Sequence, residues 1–194
     1  MTRRSVVLAA IVAFLAGAGH AQAQGFFDDS RDIMGGGPNF YSRGGASPIP
    51  RATVGFSGNY APGTIVINTA ERRLYLVQGG GTAIAYGIGV GRDGFRWSGV
   101  HRISAKREWP GWTPPAQMRR RRPDLPGHMA GGIENPLGAR ALYLGSTLYR
   151  IHGSNEPETI GQAVSSGCFR MTNDDVTDLY GRVGVGTTVV VLNN

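Results

Sequence analysis

Cysteine is almost absent from this 194-residue chain, since Cys168 is the only one. A single cysteine cannot form an internal disulfide, so the disulfide framework that stabilises many small exported domains is excluded. Three roles remain for Cys168: a buried inert thiol, an intermolecular disulfide or a reactive nucleophile. The count by itself leaves all three open.

Long hydrophobic runs are also scarce. The longest, residues 6–18, is shorter than the about 18 residues that a membrane-spanning helix needs. Arg3 and Arg4 precede this run and an A-x-A site at residues 21–23 follows it, which is the layout of a secretory signal. We therefore predict that residues 1–23 are a signal peptide, with a retained anchor as the alternative. The mature chain is then exported and has no integral membrane span.

The chain lacks the basic stripe, interleaved with stacking aromatic residues, that is typical of nucleic-acid-binding proteins. Its formal net charge is nevertheless +7, from 20 Lys and Arg against 13 Asp and Glu. Together with export, this pattern favours an anionic cell envelope over nucleic acid as the partner. One cysteine and four histidines offer no recognisable zinc spacing, so no metal site is predicted.

The chain divides into a tether and one domain. Residues 24–58 are rich in glycine, serine and proline without a sustained period, which is typical of a flexible tether. Residues 59–194 carry short β-branched or aromatic runs separated by glycine, which predict a mainly-β domain. The predicted strands are TIVINT, RRLYLV, AIAYGIGV, VHRIS, RALYL, TLYRIH and TTVVVL. Proline-rich residues 106–140 interrupt them, and a loop this long with two tryptophans favours a lid over a disordered insert.

One helix is predicted after Cys168. Thr172 or Asn173 can cap its start, and acidic residues follow in its first turn, where the helix dipole favours them. Apolar residues then recur with helical spacing at Val176, Leu179, Tyr180 and Val183. A weaker helical turn is predicted in ETIGQAV, between His152 and Cys168.

A reactive role for Cys168 requires a neighbouring base or positive charge, because an ordinary thiol is only slightly ionised at neutral pH. His152 ends a predicted strand, so its side chain can point off the sheet edge toward a residue that returns after a short turn. Gly153 allows its own carbonyl to approach the His152 Nδ1–H, which leaves Nε2 facing the sulfur. The order of His152 before Cys168 differs from that of papain-like peptidases.

The sequence SSGC, residues 165–168, predicts the remainder of a catalytic site. Gly167 permits a tight backbone path, so the N–H groups of Gly167 and Cys168 are candidates for an oxyanion hole. A packed structural cysteine would not need this glycine. The alternative is an inert thiol and a merely exposed histidine, but the combination favours Cys168 as nucleophile and His152 as general base.

The segment HGSNEPETIGQAVSSGCFRM resembles the active-site signature of the L,D-transpeptidase family, also called YkuD-domain proteins. That signature is His-Gly, a dozen or so residues, then Ser/Thr-x-Gly-Cys, a hydrophobic residue and Arg or Asn. The segments NPLGARALYL and WSGVHRISAKREWPGWTPPAQM are similar to other parts of the family, so the resemblance covers about residues 60–194. One departure is Trp97-Ser98-Gly99, where many members have Thr-Pro-x-Gly. The implied fold is mainly β, a single L,D-transpeptidase-like β-sandwich domain with one or two short helices and a long lid loop.

The resemblance also implies a function, that of an exported, periplasmic peptidoglycan L,D-transpeptidase of a Gram-negative bacterium that uses no cofactor. Cys168, deprotonated by His152, would attack a tetrapeptide stem and release D-alanine. The thioester would then pass to an amine of a neighbouring stem peptide or of an envelope protein. Two alternatives remain: transfer to water, as in an L,D-carboxypeptidase, and a non-catalytic wall-binding module.

Substrate contacts are expected around the nucleophile. Arg170 would bind a stem carboxylate through a bidentate pair, or form a structural salt bridge. Ser165 and Ser166 would donate hydrogen bonds to substrate or shape the turn, and Tyr149 would line the cleft or pack. The run Arg119–Arg122 is interpreted as a solvated face of the lid, with recognition of anionic wall groups as the alternative.

Overall fold

The structure is a computed structural model that describes residues 46–193. The predicted signal peptide and residues 24–45 of the predicted tether lie outside the described residues. Within residues 46–193, no helix combines the length and apolar character that crossing a bilayer requires.

The described residues contain eleven strands and two α-helices. The strands are β1 (Ala52–Gly55), β2 (Ile65–Asn68), β3 (Arg73–Val77), β4 (Thr82–Gly87), β5 (Val90–Gly91), β6 (Gly99–Glu108), β7 (Arg140–Leu144), β8 (Arg150–His152), β9 (Ala163–Ser165), β10 (Phe169–Arg170) and β11 (Thr188–Leu192). The helices are α1 (Ala116–Arg121) and α2 (Asn173–Arg182). Nine strands form one sheet in the order β1-β4-β3-β2-β11-β6-β7-β8-β10, and β5 pairs with β9 in a second sheet.

The long strand β6 joins the two halves of the nine-stranded sheet. Its first part pairs with β11 and its second part with β7, and the register shifts between Ile103 and Ala105. Such an irregularity bends a strand and increases its twist. Buried apolar side chains from both halves and from α2 form one core cluster, so the halves pack face to face. The mainly-β, sandwich-like fold class is therefore confirmed.

All seven strands predicted from the sequence are present, as β2, β3, β4, β6, β7, β8 and β11. The sequence missed β1, β5, β9 and β10, which are two to four residues long. Strands this short carry no detectable alternation, and only their backbone partners make them strands. The predicted turn in ETIGQAV is a 3₁₀ turn at Pro157–Thr159, followed directly by β9.

Strand β1 lies in the stretch that was predicted to be a tether. It pairs antiparallel with β4, and Ala52 is opposite Ala85. The preceding Arg51 forms ion pairs with Asp175 at 3.4 Å and with Asp178 at 3.2 Å. These contacts attach the segment before residue 59 both to the sheet and to α2.

The predicted helix after Cys168 is confirmed as α2. Thr172 caps it, because its side-chain oxygen accepts from the Asp175 N–H at 3.2 Å. Val176 and Leu179 are fully buried against the sheet, where they join the core cluster. The helix thus fixes the chain immediately after the candidate nucleophile to the hydrophobic core.

The connection from β6 to β7, residues 109–139, corresponds to the predicted lid without its first three residues, which belong to β6, and its last, Arg140, which belongs to β7. It has a small apolar cluster of its own, formed by Trp112, Leu125, Leu137, Met118 and Met129. Trp112 and Met129 also exchange backbone hydrogen bonds of 2.8 and 2.7 Å. The segment is therefore folded, with a core separate from that of the sheet.

Asn135 cross-links two parts of this connection through side-chain hydrogen bonds, and it is only 1% exposed. Its Nδ2 donates to Ala130 O at 2.9 Å and to Pro110 O at 3.2 Å, and its Oδ1 accepts from Leu137 N at 2.9 Å. A buried amide satisfied in this way fixes the backbone on both sides of the loop. These hydrogen bonds explain why the segment NPLGARALYL begins with an asparagine, since the site needs a donor and an acceptor on one side chain.

Removal of the α2 cap tests how much that helix depends on Thr172. We expect Thr172→Ala to lower the free energy of unfolding by about 1 kcal/mol, because the Asp175 N–H loses its acceptor. The measurement is urea unfolding followed by circular dichroism. Thr177→Ala is the matched control, since Thr177 is exposed in the helix interior. Equal effects of the two substitutions would contradict a special role for the cap.

Candidate active site

Parallel pairing of β8 and β10 brings the predicted catalytic residues together. Phe169 is opposite Ile151, and Arg170 is opposite His152. Cys168 immediately precedes β10, so it lies beside Arg150, the first residue of β8. Phe169 and Ile151 point into the core, and alternation therefore directs Cys168, Arg150 and His152 to the opposite face.

His152 is buried and its ring orientation is fixed. Its Nδ1 lies 2.5 Å from Gly153 O, and because a carbonyl can only accept, Nδ1 carries the proton and Nε2 is the free nitrogen. Burial lowers the His152 pKa to about 3, and the nearby charges of Arg170 and Arg150 act in the same direction. The hydrogen bond to Gly153 opposes this shift. The imidazole is therefore neutral at neutral pH.

Gly153 is also required by close packing. A Cβ at this position would overlap Asn173 Oδ1 and lie 3.0 Å from Ala139 N. Asn173 Oδ1 already accepts from Ala139 N at 2.8 Å. The start of α2, the end of the lid segment and the histidine strand therefore meet at this glycine.

Cys168 is half-buried and not part of a disulfide. Burial raises the pKa of its thiol, whereas Arg150 lowers it through its charge, its backbone and its side chain, and Arg170 through its charge. The Sγ donates to Leu148 O at 3.9 Å. The thiol and the imidazole lie on the same face of the sheet edge, and they do not hydrogen-bond to each other in the structure. Such contacts often tighten only when substrate binds.

The turn before the thiol is formed by Ser165, whose buried hydroxyl donates to Cys168 O at 2.6 Å and accepts from the Gly167 N–H at 3.2 Å. Ser165 therefore shapes the turn. The sequence predicts that the Gly167 N–H points into an oxyanion hole. In the structure this N–H instead donates to Ser165 Oγ. The Cys168 N–H has no acceptor within the described part of the chain.

Gly167 has a φ of +108°, a conformation that glycine adopts without strain. A Cβ there would lie 2.5 Å from Cε1 of Tyr149. Tyr149 stacks on Trp97 with ring centroids 4.5 Å apart, and Trp97 Nε1 donates to Gly167 O at 2.8 Å. Tyr149 thus packs against the turn that precedes Cys168. The sequence identified Trp97 as a departure from the family pattern but did not predict this contact.

Arg170 is buried and paired with a carboxylate in the structure. Its side chain is 6% exposed and forms an ion pair of 3.0 Å with Glu156, which is 4% exposed. The salt bridge that the sequence analysis gave as the alternative is therefore present, and the contact with a stem carboxylate stays a prediction. Glu156 was not predicted. No local pattern signals this pairing, because Glu156 and Arg170 are 14 residues apart in the sequence.

Two further predictions concerned Ser166 and the arginine run of residues 119–122. Ser166 Oγ is buried without a hydrogen-bond partner in the structure. The run Arg119–Arg122 forms the end of α1, where Arg122 pairs with Asp124 at 2.5 Å and Arg121 lies over the Phe95 ring. Phe95 in turn contacts the Gly167 turn through its carbonyl. Within residues 46–193, no three His, Cys, Asp or Glu side chains are grouped so that they could hold a metal ion.

Comparison with known proteins places this arrangement in a family. Residues 62–191 match the family model of the YkuD L,D-transpeptidase catalytic domain. The chain belongs to the L,D-transpeptidase family.

Curated relatives agree with this assignment. The chain is 40% identical over 138 residues to the probable L,D-transpeptidase ErfK/SrfK of Escherichia coli, a match that covers 66% of this chain and 44% of the relative. It is 42% identical over 134 residues to the probable L,D-transpeptidase YbiS of the same species, covering 64% of this chain and 43% of that one. The chain thus spans less than half the length of these relatives.

Solved structures show the same fold. An L,D-transpeptidase from Mycobacterium smegmatis superposes with a TM-score of 0.54 at 17% identity, over 66% of this chain and 58% of that one. A Brucella melitensis protein described as a probable carnitine operon oxidoreductase has a TM-score of 0.52 at 50% identity, over 79% of this chain and 99% of that one. The chemistry in the second description differs from that of the family, whose match rests on residues 62–191 of this chain.

The buried ion pair predicts a large effect of a single deletion. We expect Glu156→Ala to lower the free energy of unfolding by roughly 3–5 kcal/mol, because it leaves the Arg170 guanidinium buried beside His152. Glu158→Ala is the matched control, since Glu158 is exposed in the same 3₁₀ turn. Thermal and urea unfolding of both variants provide the measurement, and similar losses for the two would disprove a structural role of the pair.

The depressed pKa of His152 predicts acid sensitivity. The folded pKa is about 3 and the unfolded value about 6.5, so the unfolded chain binds more protons between these pH values. The histidine thus stabilises the fold fully above pH of about 6.5, and this contribution falls by about 1.4 kcal/mol per pH unit as the pH drops toward about 3. His152→Gln should show a shallower loss of stability between pH 6 and 4, measured by urea unfolding. A parallel decline in both proteins would contradict the buried neutral imidazole.

Proposed function

We propose that this protein is an exported peptidoglycan L,D-transpeptidase that acts through a thioester on Cys168. The observation that carries the proposal is the parallel pairing of β8 with β10, which puts Cys168 and His152 on one face of the sheet edge. Family membership indicates peptidoglycan as the substrate class. The predicted signal peptide supports a periplasmic, wall-associated location.

The first half-reaction follows from the positions of these groups. Cys168 Sγ attacks the carbonyl of the third stem residue while its proton passes to Nε2 of His152. The Gly153 carbonyl holds the tautomer that keeps Nε2 available. When the tetrahedral intermediate collapses, the C–N bond to D-alanine breaks and His152 returns the proton to the leaving amine. A thioester remains on Cys168.

The second half-reaction regenerates the thiol. An acceptor amine attacks the thioester carbonyl and loses a proton to His152, and Cys168 leaves and regains that proton. The acceptor is an amine of a second stem or of an envelope protein, and water is the acceptor in the carboxypeptidase alternative. The free Cys168 N–H is the donor placed for the oxyanion in both steps, an interaction worth on the order of 3 kcal/mol in known enzymes.

Burial determines when the proton moves. Desolvation raises the pKa of the Cys168 thiol and lowers that of the His152 imidazole. Both groups are therefore neutral at rest, and proton transfer accompanies attack on the substrate.

Mass spectrometry of the intact protein tests the proposal. Incubation with a tetrapeptide stem should add one tripeptide acyl group to wild type and release D-alanine, whereas Cys168→Ala should gain nothing. His152→Gln should slow acylation by roughly 10²- to 10⁴-fold through loss of the general base. His128→Gln, on the exposed lid surface, is the matched control and should acylate at the wild-type rate.

The fate of the acyl group distinguishes the alternatives. With an amine acceptor present, a transpeptidase gives the new amide, and a carboxypeptidase gives only the free tripeptide. Binding to sacculi without acylation, and without an effect of His152→Gln, would identify a wall-binding module instead.

A further inference from the structure

Arg150 lies beside the nucleophile, and no carboxylate of residues 46–193 forms an ion pair with it. It begins β8 at the position next to Cys168, because Ile151 is the register partner of Phe169. Its NH1 donates to Leu148 O at 3.0 Å, the same oxygen that accepts from Cys168 Sγ at 3.9 Å. The guanidinium and the thiol therefore converge on one carbonyl.

The Arg150 side chain is held there by a ring. Its guanidinium carbon lies 5.1 Å from the ring centroid of Tyr143, its cross-strand partner on β7. Its Nε is buried and has no hydrogen-bond partner in the structure. A buried N–H donor without an acceptor is costly, and here the donor is part of a cation. An anion next to the guanidinium would accept a hydrogen bond from this N–H and would also balance the positive charge.

The other charged groups around the turn are already engaged. Arg170 on β10 is balanced by its ion pair with Glu156. His152, the second polar group of β8 on this face, is neutral. On the opposite side of the turn, Arg92 and Arg121 stack on the Phe95 ring at 4.6 and 5.6 Å. Among these cations, Arg150 is the one whose hydrogen-bonding partner is also the partner of the thiol.

We propose that Arg150 stabilises negative charge on Cys168 Sγ, with its guanidinium as a permanent counter-charge that is already present before His152 accepts a proton. At rest, Leu148 O accepts from both groups and keeps the thiol protonated. When the proton leaves Sγ, the sulfur can no longer donate to Leu148 O and becomes an acceptor for the adjacent guanidinium. The same arrangement applies when the acyl group departs and the thiolate is the leaving group. The pKa of the thiol supports this direction, since Arg150 lowers it.

This inference deepens the proposed function by adding a residue to its thiol chemistry, and it can be tested without any stem peptide. The probe is the rate of Cys168 alkylation by iodoacetamide as a function of pH, which reports the thiolate fraction. Arg150→Gln should raise the midpoint of this profile, and each unit of increase lowers the rate at neutral pH about tenfold. Arg150→Lys should restore part of the loss, because it keeps the charge without the planar fork of donors.

Arg102→Gln is the matched control. Arg102 lies on β6 and, like Arg150, donates from NH1 to a backbone carbonyl, that of Gly186, at 2.9 Å. This variant should retain the wild-type profile. Circular dichroism establishes that each variant is folded. A folded Arg150→Gln with an unchanged midpoint, or an Arg150→Lys no more reactive than Arg150→Gln, would overturn the proposal.

A second measurement needs no variant. A cation beside the thiol favours anionic iodoacetate over neutral iodoacetamide, so the ratio of their rates with wild type should exceed that of a free cysteine peptide. A ratio equal to or below that of the peptide would also overturn the proposal. The role of Arg150 and the proposed function can fail separately. If Arg150→Gln raises the alkylation midpoint but wild type transfers no acyl group, only the proposed function is contradicted.

Discussion

The site depends on one constraint, the parallel pairing of two very short strands, β8 and β10. Parallel neighbours cannot be joined by a hairpin and need a crossover of a dozen or more residues. Here the chain from His152 to Cys168 is that crossover, and it contains a 3₁₀ turn and strand β9. The spacing within the family signature is therefore the length that this topology requires. Without the pairing, the imidazole and the thiol would have no common face.

Electrostatics in this crossover are set by burial. Arg170 sits directly opposite His152, and a buried positive charge there would be costly without a partner. Glu156, from the middle of the same crossover, supplies the opposite charge. This ion pair therefore stabilises the crossover, and Arg150 is a second cation that lies near the sulfur.

Aromatic packing provides the mechanical support. Trp97 contacts Tyr149, Phe169 and His101 through its ring and holds Gly167 O through its Nε1. The turn at Gly167 is therefore held both by hydrogen bonds and by the packing of stacked rings. The connection at residues 109–139 adds a small core of its own, and its helix α1 brings Arg121 over the Phe95 ring.

The sequence by itself determined the seven main strands, helix α2 and the pair His152 and Cys168, because these features are local: alternation, capping and motif spacing lie within a few residues. Tertiary structure decided the rest. Strands β1 and β10 exist only through distant partners, and the Gly167 N–H is used by Ser165 rather than left free. Arg170 pairs with Glu156, and Arg150 lies beside the thiol. No local sequence pattern predicts either contact. A charged side chain takes its role from what surrounds it after burial, and those neighbours come from other elements of the fold.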